Sequence, residues 1–188
     1  IGVARVLLAG YYRLEDPTRF DPQSCEQRVE VELSDGTLLR GFVDRIDVAP
    51  TGEMRVVDYK TGRAPHPQFE SRALFQMRFY ALVYWRMFGV VPTQLKLMYL
   101  KVMDSMILAP SREELEYFER DLAELWWKIE ADGKAGTFRP QQSKLCGWCA
   151  FQHLCPVFGG TPPAYPGWPG SRAEARSDGG APEALPEA

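Results

Sequence analysis

The stretch 56–62, "VVDYKTG", sets an aspartate and a lysine two positions apart in a segment that reads as a β-strand. Side chains alternate along a strand, so Asp58 and Lys60 share one face while Val57 and Tyr59 share the other. An exposed strand carries such a pair at little cost. A strand inside a sheet needs a reason for two charges on one side. Short acid-x-lysine patterns arise often by accident as surface ion pairs. Here the preceding segment, "GFVDRID" at 41–47, reads as the neighbouring strand, so Asp44 can lie across from the third strand after a short hairpin. Two carboxylates converging at the end of a sheet form a hard-oxygen site suited to Mg²⁺ or Mn²⁺. A lysine beside them can orient or deprotonate a water, or stabilise charge building on a phosphate. The pattern therefore points to metal-assisted phosphodiester hydrolysis. Arg45 and Asp47 read as an ion pair or turn contact, and Thr61-Gly62 as a strand-ending turn.

Outward from this stretch the chain reads as three strands, a helix, two strands, a helix and a cysteine-containing knuckle. "QRVEVEL" alternates, with Val29, Val31 and Leu33 on one side. "SDGT" is a hairpin turn centred on Asp35-Gly36, and "APTGE" is the next turn. Residues 70–88 carry a helical stripe of Leu74, Met77, Ala81, Trp85 and Phe88. "QLKLMYLKV" and "SMILA" read as a hairpin or edge pair. The second long helix opens on a capping box, Ser111 with Glu114, and its apolar face is Leu115, Phe118, Leu122, Leu125 and Ile129. Two helices on a largely antiparallel sheet make an α+β domain.

Composition bounds the rest. In 188 residues, 45% hydrophobic and 12% aromatic content suffice for a core. No apolar run approaches the roughly 18 residues of a membrane helix. The start, "IGVARVLLAG", has no basic leader; it lacks an initiating Met and reads as the middle of a helix, so a truncated N-terminus is expected. Net charge is −3, much of it from two arginines against four acids in the last stretch, so any basic surface must be local. Residues 159–188, rich in Pro, Gly and Ala, read as a disordered tail that Tyr165 and Trp168 tack to the body.

Gln76 and Tyr80, four apart, share one face of the first long helix, and Arg72 extends that row. An ordinary polar flank would look the same. Taken in order, however, "GFVDRID", "VVDYKTG" and "QMRFY" resemble the G-x-x-D, (D/E)-x-K and Q-x-x-x-Y series of the PD-(D/E)XK nuclease superfamily, in its RecB-type exonuclease branch. The resemblance spans residues 24–158. It implies a restriction-endonuclease-like core, a mixed and mostly antiparallel sheet flanked by helices. It also implies that Asp44 and Asp58 are metal ligands, that the Tyr59 carbonyl is a further ligand, and that Lys60 is the catalytic lysine. Gln76 and Tyr80, with Arg72 beside them, would contact DNA. Glu26 matches an acidic position of the family that supports the metal through water, though a surface charge reads as well.

"LCGWCAFQHLCP" places Cys146, Cys149 and Cys155 at C-x2-C-x5-C-P, a spacing that can grip one metal or a cluster edge. Three buried free thiols are the bland alternative. Relatives with a 4Fe-4S cluster, CRISPR-associated ones included, are similar here, with a fourth cysteine and a metal-binding histidine far upstream. No histidine precedes the motif acids in this chain; its histidines are His66 and His153. Cys25 is a candidate fourth ligand, and a local Zn²⁺ site of Cys146, Cys149, His153 and Cys155 is the other arrangement. His66 has no assigned partner.

The resulting expectation is one nuclease core over residues 1–158, with its knuckle at 139–158. It would be a cytoplasmic, Mg²⁺- or Mn²⁺-dependent DNA exonuclease of repair or recombination, able to work beside a helicase. The alternative is a non-catalytic DNA-binding or scaffold module stabilised by its metal knuckle.

Overall fold

The computed structural model describes residues 2–62 and 70–169, without the side chains at 70–73. Strands β1 (Ser24–Glu32), β2 (Leu38–Val48) and β3 (Met54–Lys60) form an antiparallel meander. Its two turns are closed by Gly36 and Gly52, at φ of 82° and 94°, and Thr37 N donates to Asp35 Oδ1 at 2.9 Å in the first. β4 (Gln94–Tyr99) then lies parallel to β3, which requires a long crossover, and helix α2 (Glu70–Phe88) supplies it. β5 (Asp104–Leu108) pairs antiparallel with β4 at the edge. The sheet order follows the chain, β1-β2-β3-β4-β5, so β3 is central. The fold is α+β, a mixed sheet flanked by helices.

The chain divides into two compact units, residues 1–124 and 125–188. In the first, α2 buries Met77, Ala81 and Trp85, as their spacing requires, while Phe88 at its end is half exposed. Leu82 and Val83 are buried too, because the first half of α3 (Arg112–Ala135) packs over α2. Phe75 meets Phe118 edge-on at 5.1 Å, and Arg86 pairs with Glu119. The capping box forms: Glu114 N donates to Ser111 Oγ at 3.1 Å and Ser111 N to Glu114 Oε2 at 2.8 Å. The buried stripe of α3 ends at Leu122; Leu125, expected on the same face, is 47% exposed, since the core served by Leu115, Phe118 and Leu122 stops there.

Helix α1 (Gly2–Leu14) covers the other face of the sheet, where the Tyr11 ring meets the Tyr59 ring edge-on at 5.9 Å. Gly10 rests on the backbone of Leu100: a Cβ there would lie 1.9 Å from the Leu100 carbonyl oxygen. In the second unit three short 3₁₀ turns follow α3, Lys144–Trp148, Gln152–Leu154 and Pro156–Phe158. Tyr165 Oη donates to Gly133 O at 2.9 Å, and the Trp168 ring occupies the space a side chain at Gly133 would need. Residues 170–188 lie outside the described residues.

Gly10→Ala forces α1 off the sheet. We expect a loss of about 1–3 kcal/mol, the usual result of overpacking, read as a lower urea midpoint at unchanged m-value; wild-type stability would contradict this packing.

Candidate active site

The site forms where β2 and β3 separate. Arg45 pairs with Val57 and Ile46 with Val56, and the paired stretch ends there. One further step in that register sets Asp44 against Asp58. At this level a side chain takes over from the ladder: Tyr59 N donates to Asp44 Oδ2 at 2.8 Å.

Asp44 also sits at a change of face. Gly41 turns toward α2, with its missing Cβ 3.3 Å from the Tyr80 ring, and Val43 follows by alternation. Yet Ile46 and Val48 line a cavity with Tyr84 and Phe88 of the same helix. Positions 43 and 46 cannot share a face of a regular strand. β1 breaks at the same level: Ser24 Oγ and Tyr84 Oη both donate to Gln27 Oε1, at 2.6 and 2.7 Å. Register is kept across the break, from Cys25–Arg45 to Gln27–Val43. Between them, level with Asp44, Glu26 takes a left-handed φ of 51°. Such irregularities re-aim side chains beside functional sites.

Around the two acids a polar cluster closes. Asp58 is 2% exposed. Lys60 Nζ lies 2.6 Å from Asp58 Oδ2 and donates to Gln76 Oε1 at 2.7 Å. Gln76 Nε2 donates to Asp58 Oδ1 at 3.2 Å and to Tyr80 Oη at 3.0 Å. Burial pushes the Asp58 carboxyl above its ordinary range; Lys60 opposes this and Asp44 adds to it. Burial likewise raises Tyr80, against the Gln76 hydrogen bond and with Asp58 and Asp44 assisting, so its hydroxyl stays protonated. Despite the close lysine, Asp58 Oδ2 is buried without an aligned hydrogen bond. A buried carboxylate oxygen left in this way, facing a second carboxylate, is the donor set a hard divalent ion takes. The residues fit such an ion.

Behind the site lies a network that sequence reading caught only in part. Arg45, 2% exposed, pairs with Asp47 as expected, at 3.0 Å. It also binds Glu15, just past the end of α1, and donates to Tyr59 Oη, beneath the Phe20 ring at 4.5 Å. Lys96 reaches Glu15 at 3.3 Å, and Arg55 reaches Asp47 at 2.6 Å. Burial pushes Glu15 upward, but the hydrogen bond and charge of Arg45, with Lys96, hold its carboxyl below the ordinary value. The signal available was the Arg-x-Asp pair that follows Asp44 in β2; its partner in Glu15 gave none.

Other expected site residues stand apart. The side chain of Arg72 and all of His66 lie outside the described residues. Glu26 and Cys25 are exposed on β1. Cys146, Cys149 and Cys155 are free thiols, and Cys146 Sγ accepts from Ser143 N at 3.2 Å. Among the described residues no three His, Cys, Asp or Glu side chains converge as a metal site.

The PD-(D/E)XK nuclease superfamily matches this chain over residues 2–156. The chain belongs to the PD-(D/E)XK nuclease superfamily. Its curated relatives include the Gene 69 protein of Mycobacterium phage L5, 30% identical over 145 residues, which covers 72% of this chain and 48% of the phage protein. The Gene 69 protein of phage D29 is 31% identical over 138 residues, with the same coverage. The chain thus spans about half the length of these relatives. A crystal structure of a Eubacterium rectale protein, provisionally named an exonuclease, aligns with a TM-score of 0.50 at 13% identity, covering 79% of this chain and 59% of that one. At that identity the likeness speaks for the superfamily fold alone.

The raised Asp58 value has a signed consequence. Its contribution to stability is complete below the unfolded carboxylate value and is lost as pH rises through the folded one. Asp58→Asn removes the buried charge while keeping the shape. In EDTA at pH 7 the variant should melt above wild type, and its Tm should vary less between acid and neutral pH. A lower Tm in EDTA would contradict this electrostatic picture.

Proposed function

We propose that this chain is the nuclease core of a Mg²⁺- or Mn²⁺-dependent deoxyribonuclease of the RecB-type exonuclease branch, acting on DNA ends in repair or recombination. The observation that carries the catalytic reading is Asp58: a buried carboxylate, raised by burial, next to Asp44 and with its own Oδ2 met by the Lys60 ammonium without an aligned hydrogen bond. The exonuclease and repair assignments are supported by the order and spacing of the three motifs.

Asp44, Asp58 and the Tyr59 carbonyl would hold the divalent ion. When bound, such an ion polarises a phosphate oxygen and lowers the pKa of a coordinated water. The chain's own groups divide the remaining work. Lys60 is partly exposed, so its ammonium can reach a water or a phosphate oxygen while Gln76 and Asp58 fix its position. Gln76 ties the lysine, the acid and Tyr80 into one unit, which limits the freedom each must lose before reaction. Tyr80, kept protonated, can donate to a phosphate oxygen of the strand. Asp44 restrains the Tyr59 amide and with it the end of β3. No step passes through the cysteines, and a helicase partner has no counterpart in these geometries. No helix among the described residues is long and apolar enough to cross a membrane.

Lys60→Met tests the reading. We expect Mg²⁺-dependent cleavage of linear DNA to fall by about 10²–10⁴-fold, the range for losing a proton-handling group, with the circular dichroism spectrum retained. Full cleavage by this variant would favour the alternative of a DNA-binding scaffold whose acids do no chemistry.

A further inference from the structure

Tyr59 is gripped from both faces of the sheet by adjacent residues of β2. On the front, Asp44 takes its amide at 2.8 Å. On the back, Arg45 binds its hydroxyl. Arg45 is in turn fixed by Glu15, the residue that follows α1, and by Asp47 of β2, under the Phe20 ring. Neighbours in a strand point to opposite faces, so one dipeptide of β2 can hold one residue of β3 by both ends only where β3 lies beside it. The β2–β3 ladder stops at Val57, two residues before Tyr59, so on the β2 side these two contacts hold the end of β3, which on its other side stays paired with β4 through Lys60. Asp58 and Lys60 flank the gripped residue.

We infer that Arg45 is a positioning residue for the divalent-ion site: by holding the Tyr59 hydroxyl from behind the sheet, it fixes the amide that orients Asp44 and the strand end that carries Asp58. This rests on the reading of Asp44 and Asp58 as ion ligands. It adds that the end of α1, to which the Glu15 amide is bonded through Tyr11 O, belongs to the functional unit although it contributes no group to the site's front. Partners that orient metal-binding carboxylates without touching the ion influence affinity strongly. Arginine suits the role because its planar fork can bind a carboxylate and a hydroxyl simultaneously while staying charged when buried.

Tyr59→Phe is the least intrusive probe, since it deletes only the gripped oxygen. Two quantities are read: Mn²⁺ affinity by titration calorimetry, and exchange of the Tyr59 amide in metal-free protein by NMR. We expect Mn²⁺ to bind about tenfold more weakly, the lower end of what losing an orienting partner causes, and the amide to exchange faster. Arg45→Lys should shift both in the same direction, because a point charge cannot replace the fork. Unchanged Mn²⁺ affinity in Tyr59→Phe overturns the inference, and so does weakened affinity with unchanged amide exchange. If wild type itself binds no Mn²⁺, the ion-site reading fails separately, and slow Tyr59 exchange that Tyr59→Phe leaves untouched still shows that the grip is absent.

Discussion

The site depends on one hydrogen bond, from the Tyr59 amide to the Asp44 carboxylate. It forms where β2 and β3 leave their ladder, and it substitutes a side chain for a backbone partner. An unpaired buried amide would be costly, so the splay of the strands is stable only with an acceptor at position 44. The same splay opens the end of the sheet on which Asp44, Asp58 and Lys60 meet. Structural need and chemical opportunity thus coincide in a single carboxylate.

Around that bond the fold concentrates charge in two layers. In front, Asp58 and Lys60 pair beside Gln76 and Tyr80, and the pair leaves one carboxylate oxygen without an aligned donor. Behind, Arg45 draws on Glu15 and Asp47, with Lys96 and Arg55 at the margins. Each layer would be expensive to bury alone, since isolated charges in a low-dielectric interior are disfavoured. The rear layer is well matched in charge, which depresses Glu15. In the front layer burial raises Asp58, with Asp44 adding to it and Lys60 opposing. That asymmetry separates scaffold from site.

Much of this was legible in the sequence, for local reasons. Gly36 and Gly52 mark turns that only left-handed backbone closes, the 70–88 stripe has helical period, and the Ser111–Glu114 box announces its helix. The facing of Asp58 and Lys60 follows from strand alternation. The face change at Glu26 and Asp44 was not legible, because it requires two strands to break together while their register is kept; the pattern within either strand looks regular. Glu15 was hidden because its partners, Arg45 and Lys96, lie 30 and 81 residues away. Leu125 continues a helical stripe but falls beyond the point where the core ends. The cysteine spacing limits only how close the three thiols can come, and nothing in the sequence says whether they converge.

The chain belongs to a superfamily built for phosphodiester cleavage, and it spans about half of the phage proteins it resembles. Its central physical claim is that Asp44 and Asp58 together hold one divalent ion. Anomalous scattering from a crystal soaked in Mn²⁺ tests this most directly. One peak within bonding distance of both carboxylates is the expected result. A peak elsewhere, or none, with the two side chains visible in the density, would contradict it.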